Sequence, residues 1–363
     1  MSSPATEVDA GGRAVRVTNP DRVIYEATGT TAEVTKLMVA QYYASVADGI
    51  MRALRDRPTA LERWPKGVHE GIVLSTGYGD KADAFYQKRV PKGAPDYLET
   101  ATITFPSGRT ADEICPTEIA VVAWAAQMGT LTFHPWPVRR DRPDHPDELR
   151  IDLDPHGSTD FRDAVRAAGG ARELLDELGL VGFPKTSGNR GVHVYVRIEP
   201  RWDFVDVRHA AIGFGRELAR RTPGVTTSWW KEERGDNIFV DYNQNSRDRT
   251  IASAYSLRPK PGAPVSTPMD WDELAEVEDP AGFNLFTVPE RFGDRGDVHA
   301  AIDDVANDLQ PLLDLYDEQV AAGQGELNYP PDYPKMPGEP PRVQPSKKVA
   351  EHWDEHGNWV EKP

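Results

Sequence analysis

Apolar residues recur at intervals of three and four in several stretches of the chain, which is the spacing of one face of an α-helix. The first stretch is amphipathic, and the second is shorter, more apolar and predicted to be buried. The third begins with a Ser/Thr cap and contains the pair Gly169-Gly170, which weakens the helical pattern in its middle. Helices are thus predicted over 31–54, 118–128, 158–180 and 204–222.

Period-2 alternation of apolar and polar residues predicts strands over 149–154, 191–198 and 237–243. Because these strands alternate with helices from 149 to 243, the pattern favours an α/β or α+β core. Residues 296–320 are again predicted to be helical. Residues 1–12 are predicted to be a flexible N-terminus, and 321–363 a proline-rich extended tail, either wrapped on the surface or disordered.

Composition indicates a chain without membrane segments. Hydrophobic residues make up 39% of the 363 residues, the mean hydropathy is -0.58, and no run approaches the ~20 apolar residues of a membrane helix. The N-terminus lacks the basic and apolar regions of a secretory signal, so we expect a cytoplasmic protein. The single cysteine, Cys115, excludes an intramolecular disulfide and a cysteine-based zinc site.

The net charge of -16 argues at first against a nucleic-acid partner, but the charge is unevenly distributed. Residues 267–330 contain sixteen acidic and only two basic residues, and therefore carry most of the negative charge. The first 266 residues are nearly neutral and contain local basic clusters. A phosphate-binding surface in that part of the chain is compatible with the composition.

The segment "LRIDLDP" (149–155) places two carboxylates in an apolar strand. Residues i and i+2 of a strand share a face, so Asp152 and Asp154 lie on one side while Ile151 and Leu153 lie on the other. Two neighbouring carboxylates repel each other unless a cation lies between them, and Mg²⁺ or Mn²⁺ prefers such oxygen ligands. The alternative is a solvent-exposed face at the edge of a sheet.

The segment "PKTSGNRGVHVYVRI" (184–198) predicts an anion-binding turn followed by a strand. Its glycines allow backbone N–H groups to approach an anion, although the GK[ST] signature of a P-loop is missing. Lys185 and Arg190 add positive charge, and His193 emerges on the polar face of the strand. Ser187 lies in the turn itself. An ordinary turn and a structural histidine are the alternative interpretation.

A third carboxylate, Asp241, lies in the predicted strand 237–243 and could complete a metal site with the first two. Three carboxylates holding two metal ions form an arrangement used in phosphoryl transfer. Basic residues surround this strand and suit a triphosphate or a DNA backbone: Lys231, Arg234, Arg247, Arg249 and Arg258. Surface ion pairs would explain Lys231, Arg247 and Arg249 equally well.

Aromatic and basic residues are interleaved upstream, in "RWPKG" (63–67) and "AFYQKRVPKG" (84–93). Arg63, Phe85, Tyr86 and Lys88 form a combination that suits base stacking and phosphate contact, with core packing as the alternative. His134 in "HPWP" is uninformative by itself.

Three ordered motifs, "RIDLDP", "FPKTSGNRGVHVYV" and "FVDYNQN…ASAYSLRP", resemble the archaeo-eukaryotic primase superfamily. The specific resemblance is to the polymerase domain of bacterial DNA repair ligase D and its stand-alone primase-polymerase relatives, and "VTNPDRVIYEATGTT" and "RPTALERWPKG" fit the same family. It covers roughly residues 13–285. The resemblance implies an α/β (α+β) primase-polymerase fold, in which a central mixed β-sheet carries the carboxylates between flanking helices and a smaller N-terminal α/β module precedes it.

On this basis the primase-polymerase domain is expected over 13–320. Its N-terminal module is expected over about 13–145, its catalytic core over about 146–260 and an acidic helical region over about 267–320.

The resemblance also implies an activity: extension of 3′ ends with NTPs or dNTPs, often favouring ribonucleotides and Mn²⁺, by a mechanism using two Mn²⁺ or Mg²⁺ ions. The implied setting is gap filling or double-strand-break repair in the bacterial cytoplasm, at the nucleoid when active. The implied partners are DNA ends, the Ku protein and a separate ATP-dependent DNA ligase, since this chain has no KxDG adenylation motif.

The resemblance assigns roles to individual residues. The metal ligands and catalytic carboxylates are Asp152, Asp154 and Asp241. The nucleotide-binding set is Ser187, Arg190, His193, His134, Arg234, Gln244 and Arg258, to which we add Lys185 from the charge of the turn. Phe85 and Tyr86 match the aromatic pair on the templating side, and Asn19 and Arg22 match a patch for the downstream 5′-phosphate. With Arg63 and Lys88, these four form the expected DNA-binding set.

The chain departs from the family pattern at several places. Glu62 stands where relatives tend to carry a basic residue, and Ala32 where a lysine is usual, so 5′-phosphate recognition is expected to be weaker. Residues 68–83 resemble an insertion before the aromatic pair, and the proline-rich tail lies outside the family domain.

Two alternatives to a polymerase stay open. A phosphodiesterase would use the same carboxylates to activate water, although a triphosphate-binding turn has little use in a nuclease. A DNA-end-binding scaffold would bind DNA without chemistry, although the intact third carboxylate argues against it.

Overall fold

The computed structural model describes residues 4–74, 83–105, 108–330, 333, 335, 336 and 338–340. The strands are β1 Ala5–Asp9, β2 Ala14–Thr18, β3 Val23–Tyr25, β4 Val34–Thr35, β5 Thr59–Arg63, β6 Phe85–Gln87, β7 Glu99–Thr104, β8 Thr110–Cys115, β9 Thr130–Pro135, β10 Glu148–Pro155, β11 Gly182–Thr186, β12 Val192–Arg197, β13 Val225–Thr226 and β14 Ile238–Val240. The α-helices are α1 Lys36–Ser45, α2 Ala47–Leu54, α3 Ile119–Gln127, α4 Phe161–Glu177, α5 Phe204–Arg221, α6 Trp271–Glu276, α7 Val288–Arg295 and α8 Gln310–Ala321.

The chain forms two compact units that are each discontinuous in sequence. Unit 1 comprises 1–143, 183–189 and 250–304, and unit 2 comprises 144–182, 190–249 and 305–363. The expected catalytic core over 146–260 is therefore divided, because the turn after β11 and the residues from 250 onward belong to unit 1.

Unit 1 is built on an antiparallel sheet with the order β6-β5-β8-β7, in which β9 also pairs with β5. The almost wholly apolar helix α3 is buried against this sheet and α1, as its composition predicted. Residues Tyr43, Phe133 and Leu257 belong to the same core. Tyr43 and Phe133 meet edge to face, with ring centroids 5.1 Å apart.

The helix predicted over 31–54 is broken into α1 and α2. Val46, between them, has φ -110° and ψ 27°, so its backbone departs from helical geometry although the apolar spacing continues. The first residues of the predicted helix instead form the short strand β4, and Thr35 caps α1 by accepting from the N–H of Met38. Apolar periodicity alone does not reveal such a break.

The prediction of a flexible N-terminus over 1–12 is wrong for residues 5–9. These residues form β1, which pairs antiparallel with β2 from Ala5 opposite Thr18 to Asp9 opposite Ala14. Val8 and Val17 are buried together with Ala40 of α1. The hairpin is therefore fixed by an apolar contact as well as by its backbone hydrogen bonds.

Within unit 2, strands pair in the order β12-β10-β14-β13, and β10 is antiparallel to both of its neighbours. Strand β13 runs parallel to β14, so the sheet is mixed, as the family resemblance implied. Helices α4 and α5 pack on this sheet, and α8 packs on α5.

The N-cap of helix α4 is Asp160 and not the Ser/Thr pair before it. The carboxylate of Asp160 accepts from the N–H groups of Arg162 and Asp163. The Gly169-Gly170 pair stays helical. A Cβ on Gly170 would lie 2.5 Å from the hydroxyl of Thr222, so the glycine allows α4 to approach the end of α5.

The acidic segment is helical in part, with α6 and α7 in unit 1 and α8 in unit 2. Residues 326–330 of the predicted tail belong to unit 2, and Tyr329 is buried there. The tail beyond residue 340, and residues 75–82 of the insertion predicted over 68–83, lie outside the described residues. No helix in the described ranges is long and apolar enough to cross a membrane.

Candidate active site

Two neighbouring strands of unit 2 position Asp152, Asp154 and Asp241, which we call the carboxylate cluster: the first two lie on β10, and Asp241 directly follows β14. Asp152 on β10 is directly opposite His193 on β12. On the other side of β10, the backbone N–H of Asp241 donates to the carbonyl of Asp152 at 3.0 Å. The cross-strand row thus runs from His193 through Asp152 to Asp241, and strand alternation places Asp154 on the same face as Asp152.

Asp152 belongs to a buried polar face that the sequence prediction described only in part. Its Oδ1 lies 3.4 Å from Nε2 of His193, and both side chains are almost fully buried. Two residues away along β10, the guanidinium of Arg150 donates to Glu148 at 2.8 Å. The buried Arg150 and Glu148 therefore form an opposite-sign pair on this face, which is how a protein interior tolerates such charges.

Asp241 differs from the prediction in its position along the chain. It does not lie within β14 but follows it, and its carboxylate caps the 3-10 helix Tyr242–Asn245 by accepting from the N–H of Asn243 at 3.0 Å. Gln244 Nε2 is 3.5 Å from the other carboxylate oxygen. Gln244 therefore contacts the carboxylate of Asp241.

The carboxylate cluster is electrostatically strained. Burial, together with repulsion from Asp154, raises the pKa of Asp241 to about 6, although Arg234, Arg249 and the Asn243 N–H oppose the shift. Asp154 is exposed at the end of β10, whereas Asp152 is only 3% exposed. A group that neutralises Asp154 and Asp241 together would remove this repulsion.

Arg234 supplies a fixed positive charge beside these carboxylates. Its guanidinium donates to the carbonyls of Ser228 and Trp229 at 3.1 and 2.8 Å and lies 3.5 Å from the ring centroid of Phe239. Burial lowers the pKa of Arg234, while Asp241 and Asp154 oppose that shift. The side chain is thus positioned by backbone and aromatic contacts, and its charge acts on the carboxylates through space.

The carboxylate cluster has the ligand chemistry that Mg²⁺ and Mn²⁺ prefer, namely carboxylate oxygens with solvent access at Asp154. Burial contributes most to the raised pKa of Asp241, and the further contribution from repulsion by Asp154 is the interaction that a divalent cation would relieve. Among the residues that the structure describes, no three His, Cys, Asp or Glu side chains are already gathered at ligand distances. The donor set therefore fits a divalent ion, and the side chains would have to converge on it.

The predicted anion-binding turn begins in unit 1. Gly188 has φ +68°, and a Cβ there would lie 2.9 Å from the backbone nitrogen of Ser266, so only glycine fits without a shift. Ser187 is buried and its hydroxyl accepts from the N–H of Asn189 at 3.2 Å. Arg190, the first residue of unit 2 after the turn, is exposed and thus accessible to an anion.

The side chain of Lys185 is directed inward. It is fully buried within unit 1, where the ammonium donates to the carbonyl of Ala252 at 3.0 Å and to the hydroxyl of Ser266. The assignment of Lys185 to nucleotide binding stays a prediction. Sequence alternation could not distinguish the two directions.

Glu62 and His134 form a buried pair in unit 1, with Oε2 of Glu62 2.9 Å from Nε2 of His134. The other Glu62 oxygen accepts from the indole N–H of Trp64 at 3.1 Å. Burial lowers the pKa of His134, and Arg258 adds to this effect, whereas Glu62 opposes it. Burial raises the pKa of Glu62, but the hydrogen bond and charge of His134, the charge of Arg258 and the hydrogen bond from Trp64 together outweigh burial and lower that pKa. The pair is thus an ionised Glu62 that accepts from a neutral imidazole.

Arg258 lies near this pair, and its charge lowers the pKa of both members. Its buried Nε has no hydrogen-bond partner among the described residues. Since a buried guanidinium N–H is normally satisfied, this donor is available to a ligand.

The aromatic pair differs in exposure. Tyr86 is 46% exposed and meets His134 edge to face at 5.3 Å, whereas Phe85 is half-buried under Arg63. Arg63 donates to the carbonyl of Met128 at 2.7 Å and to Gln87 at 2.6 Å, so it braces β6 from within. Lys88 lies over the ring of Phe105 at 4.7 Å. Tyr86 is therefore the member of this set with an accessible aromatic surface.

Arg22 lines a cavity of about 260 Å³ in unit 1 that also contains Lys36. Lys36 is the first residue of α1, and its ammonium donates to the carbonyl of Thr18 at 2.8 Å. Burial, with a contribution from Arg22, lowers the pKa of Lys36. The carbonyl of Asn19 accepts from the N–H of Arg22 at 3.1 Å. Two cations at a helix N-terminus create a site for an anion.

Sequence reasoning missed Lys36, the Glu62–His134 pair and Asn243. A lysine at the first position of a helix opposes the helix dipole, and this was the signal that could have drawn attention to Lys36. Glu62 was noticed only as a departure from the family, because its partner is 72 residues away.

The mixed sheet with its carboxylate cluster, together with the flanking helices, defines an α/β fold of the primase-polymerase class. The polymerase domain from Mycobacterium tuberculosis ligase D, solved in complex with DNA, superposes with a TM-score of 0.70 and 31% sequence identity. The match covers 81% of this chain and 99% of that domain.

A family model described as "LigD, primase-polymerase domain" matches residues 35–299, so the chain belongs to that family. The LigD non-homologous end joining protein of Mycolicibacterium smegmatis is 34% identical over 80% of this chain. The bifunctional LigD of Bacillus subtilis is 28% identical over 78%. The matches cover 36% and 43% of those two relatives. The resemblance and the fold predicted from the sequence are confirmed.

Proposed function

We propose that this protein is a nucleotidyltransferase that extends 3′ ends of DNA with nucleoside triphosphates. The observation that carries the proposal is the row formed by His193 on β12, Asp152 on β10 and Asp241 directly after β14, with Asp154 on the same face. Carboxylates gathered on one sheet face, where burial and then repulsion from Asp154 raise the pKa of Asp241, are suited to holding divalent cations for phosphoryl transfer.

In this proposal Asp152, Asp154 and Asp241 would hold two Mn²⁺ or Mg²⁺ ions, which activate the primer 3′-hydroxyl and neutralise the leaving pyrophosphate. The protein's own part is positioning. Asn243 and Gln244 orient the carboxylate of Asp241, and the fixed charge of Arg234 favours its ionised form. His193 keeps its imidazole beside Asp152 and is assigned to phosphate binding rather than to proton transfer.

We assign recognition of nucleotide and DNA to further residues named above. The exposed ring of Tyr86 suits base stacking, and the unsatisfied Nε of Arg258 and the exposed Arg190 suit phosphate oxygens. The Ser187-Gly188 turn belongs to the same assignment. The cavity with Arg22 and Lys36 is assigned to a 5′-phosphate of downstream DNA.

We also propose that the activity serves end joining. The curated relatives are named as non-homologous end joining proteins, and the solved relative is named as a complex with DNA. The chain matches only part of those relatives. We propose that an ATP-dependent DNA ligase seals the extended end and that Ku holds the ends together.

The test is to incubate an end-labelled duplex with a 5′ overhang, with and without NTPs or dNTPs, in Mg²⁺ or Mn²⁺. A polymerase lengthens the labelled strand only when nucleotide is present. Shortening without nucleotide would identify a phosphodiesterase instead. Unchanged DNA that is nevertheless bound by the protein would contradict the proposal in favour of a scaffold.

A further inference from the structure

The described chain after α8 returns to α5 through residues 326–329, which we call the C-terminal strap. The two carboxylate oxygens of Glu326 pair with different residues of α5: one with Arg208 at 2.9 Å and the other with His209 at 2.8 Å. His209 in turn stacks on Tyr316 of α8, with ring centroids 4.3 Å apart. The strap is thus anchored by an ion pair that is largely shielded from solvent, since the Glu326 side chain is 11% exposed.

Arg208 connects the strap to the active-site turn. Its guanidinium is 1% exposed and donates to the carbonyls of Leu327 and Asn328 at 2.9 and 3.1 Å. Its Nε donates to the side-chain oxygen of Asn243 at 2.9 Å. The ring of Tyr329 covers the guanidinium at 3.6 Å. One buried cation therefore bonds to both segments at once.

Asn243 passes this restraint to Asp241. Its side-chain amide donates to the carbonyl of Asn328 at 2.9 Å, while its backbone N–H donates to Asp241 Oδ1 at 3.0 Å. The hydroxyl of Tyr242 also donates to the Asn328 carbonyl, at 3.3 Å. The 3-10 helix that begins after Asp241 is thus attached to the strap at two successive residues.

We infer that the C-terminal strap is a positioning device for Asp241, the third member of the carboxylate cluster. The strap lies beyond residues 35–299, which match the family model, so the polymerase-like core is completed in this chain by a segment outside that match. Removing Glu326 leaves the buried guanidinium of Arg208 without its carboxylate, which is costly enough to reorganise the neighbouring turn. The inference rests on the proposed metal-binding role of Asp241, because that role gives the positioning a consequence.

The experiment compares Glu326→Gln with the matched control Glu318→Gln, whose side chain lies on the exposed face of α8. Two truncations accompany them: one after Gln324, which removes the strap, and one after Pro340, which retains it. The primary readout is calorimetric titration with Mn²⁺ alone, and the second is hydrogen–deuterium exchange of the segment 238–246.

We expect Glu326→Gln and truncation after Gln324 to weaken Mn²⁺ binding about tenfold, the usual effect of losing an outer partner of a metal ligand. Exchange in 238–246 should increase in the same two variants. Glu318→Gln and truncation after Pro340 should match the wild type in both readouts. If the longer deletion fails to fold, the inference is tested with Glu326→Gln and the additional variant Tyr329→Leu, for which we expect the same loss of Mn²⁺ affinity and the same increase in exchange.

Unchanged Mn²⁺ affinity and exchange in Glu326→Gln would overturn the inference. Combining Glu326→Gln with Asp241→Asn adds a further criterion: the two losses of Mn²⁺ affinity should not add, and additive losses would contradict a shared pathway. Failure of the proposed function is detected by primer extension instead. A protein that binds Mn²⁺ through Asp241 but never lengthens a primer would contradict the polymerase activity and leave the positioning role of the C-terminal strap in place.

Discussion

The backbone N–H of Asp241 donates to the carbonyl of Asp152 at 3.0 Å, and this single bond joins two parts of the sequence that are 89 residues apart. It extends the register of β10 and β14 by one pair beyond Leu153 and Val240. Because cross-strand partners share a face, the bond brings the third carboxylate to the first two. The proposed chemistry depends on this pairing.

The raised pKa of Asp241 predicts a stability penalty above pH 6. An ordinary Asp in the unfolded chain ionises near pH 4, whereas Asp241 in the folded protein ionises near 6, so the folded state loses stability as pH rises through that window. In metal-free protein, Asp241→Asn should therefore be more stable than the wild type at pH 7.5 by about 1–2 kcal/mol, after a reduction for its partial solvent contact.

Urea denaturation in the presence of a chelator, at pH 7.5, 6 and 4, checks this prediction. The difference between Asp241→Asn and the wild type should shrink as the pH falls and disappear near pH 4. A wild type that is the more stable protein at pH 7.5 would contradict the assigned electrostatics of the carboxylate cluster.

The Glu62–His134 pair predicts the effect of restoring a basic residue where relatives tend to have one. Glu62→Ala leaves the N–H groups of His134 and Trp64 without their buried acceptor, which should cost about 2–4 kcal/mol of unfolding free energy. Glu62→Gln retains one acceptor and should cost less. Glu62→Lys adds a cation close to Arg258 and should be the least stable of the three.

Denaturant midpoints of the three variants give the order directly. A lysine variant as stable as the wild type would show that position 62 adapts to either charge, and that the buried pair is incidental.

The cavity that contains Arg22 and Lys36 predicts preference for a phosphorylated DNA end. Lys36→Met and Arg22→Gln should each lower affinity for gapped DNA with a 5′-phosphate by about tenfold, the value of one charge-assisted hydrogen bond. Affinity for the same DNA with a 5′-hydroxyl should change much less. Arg162→Gln, an exposed substitution on α4, is the matched control.

Fluorescence anisotropy with the two DNA forms at several salt concentrations measures this preference. Equal losses on phosphorylated and hydroxyl ends would assign the two cations to general backbone contact instead.

The strongly patterned elements of this protein could be predicted from its sequence. Strands β10 and β12 and helix α5 follow from alternation and spacing, and the Asp-x-Asp motif identified two carboxylates of the cluster. The predictions that failed concern local features of individual helices. Val46 breaks a continuous apolar pattern, and Asp160 competes successfully with two hydroxyl residues for the cap of α4. Such choices depend on tertiary packing and on individual hydrogen bonds, which periodicity does not encode.

The direction of charged side chains was the second limit. Lys185 and Arg190 flank the same turn, yet the first is buried within unit 1 and the second is exposed. Glu326 looked like one more charge at the start of a proline-rich tail, but it meets Arg208 across 118 residues of sequence. Predicting the burial of a side chain, or its partner at long sequence separation, requires the folded structure. The Asp-x-Asp motif, on which the proposed chemistry rests, can be recognised in the sequence alone.

The central claim is that the carboxylate cluster transfers nucleotides. It is tested most directly by single-turnover addition of one nucleotide to a primer in Mn²⁺, comparing the wild type with Asp152→Asn, Asp154→Asn and Asp241→Asn and with Arg162→Gln as control. We predict at least about a thousandfold loss of rate in each carboxylate variant with DNA affinity retained, since removing a metal ligand costs several kcal/mol of transition-state stabilisation. Undiminished addition by Asp241→Asn would contradict the account.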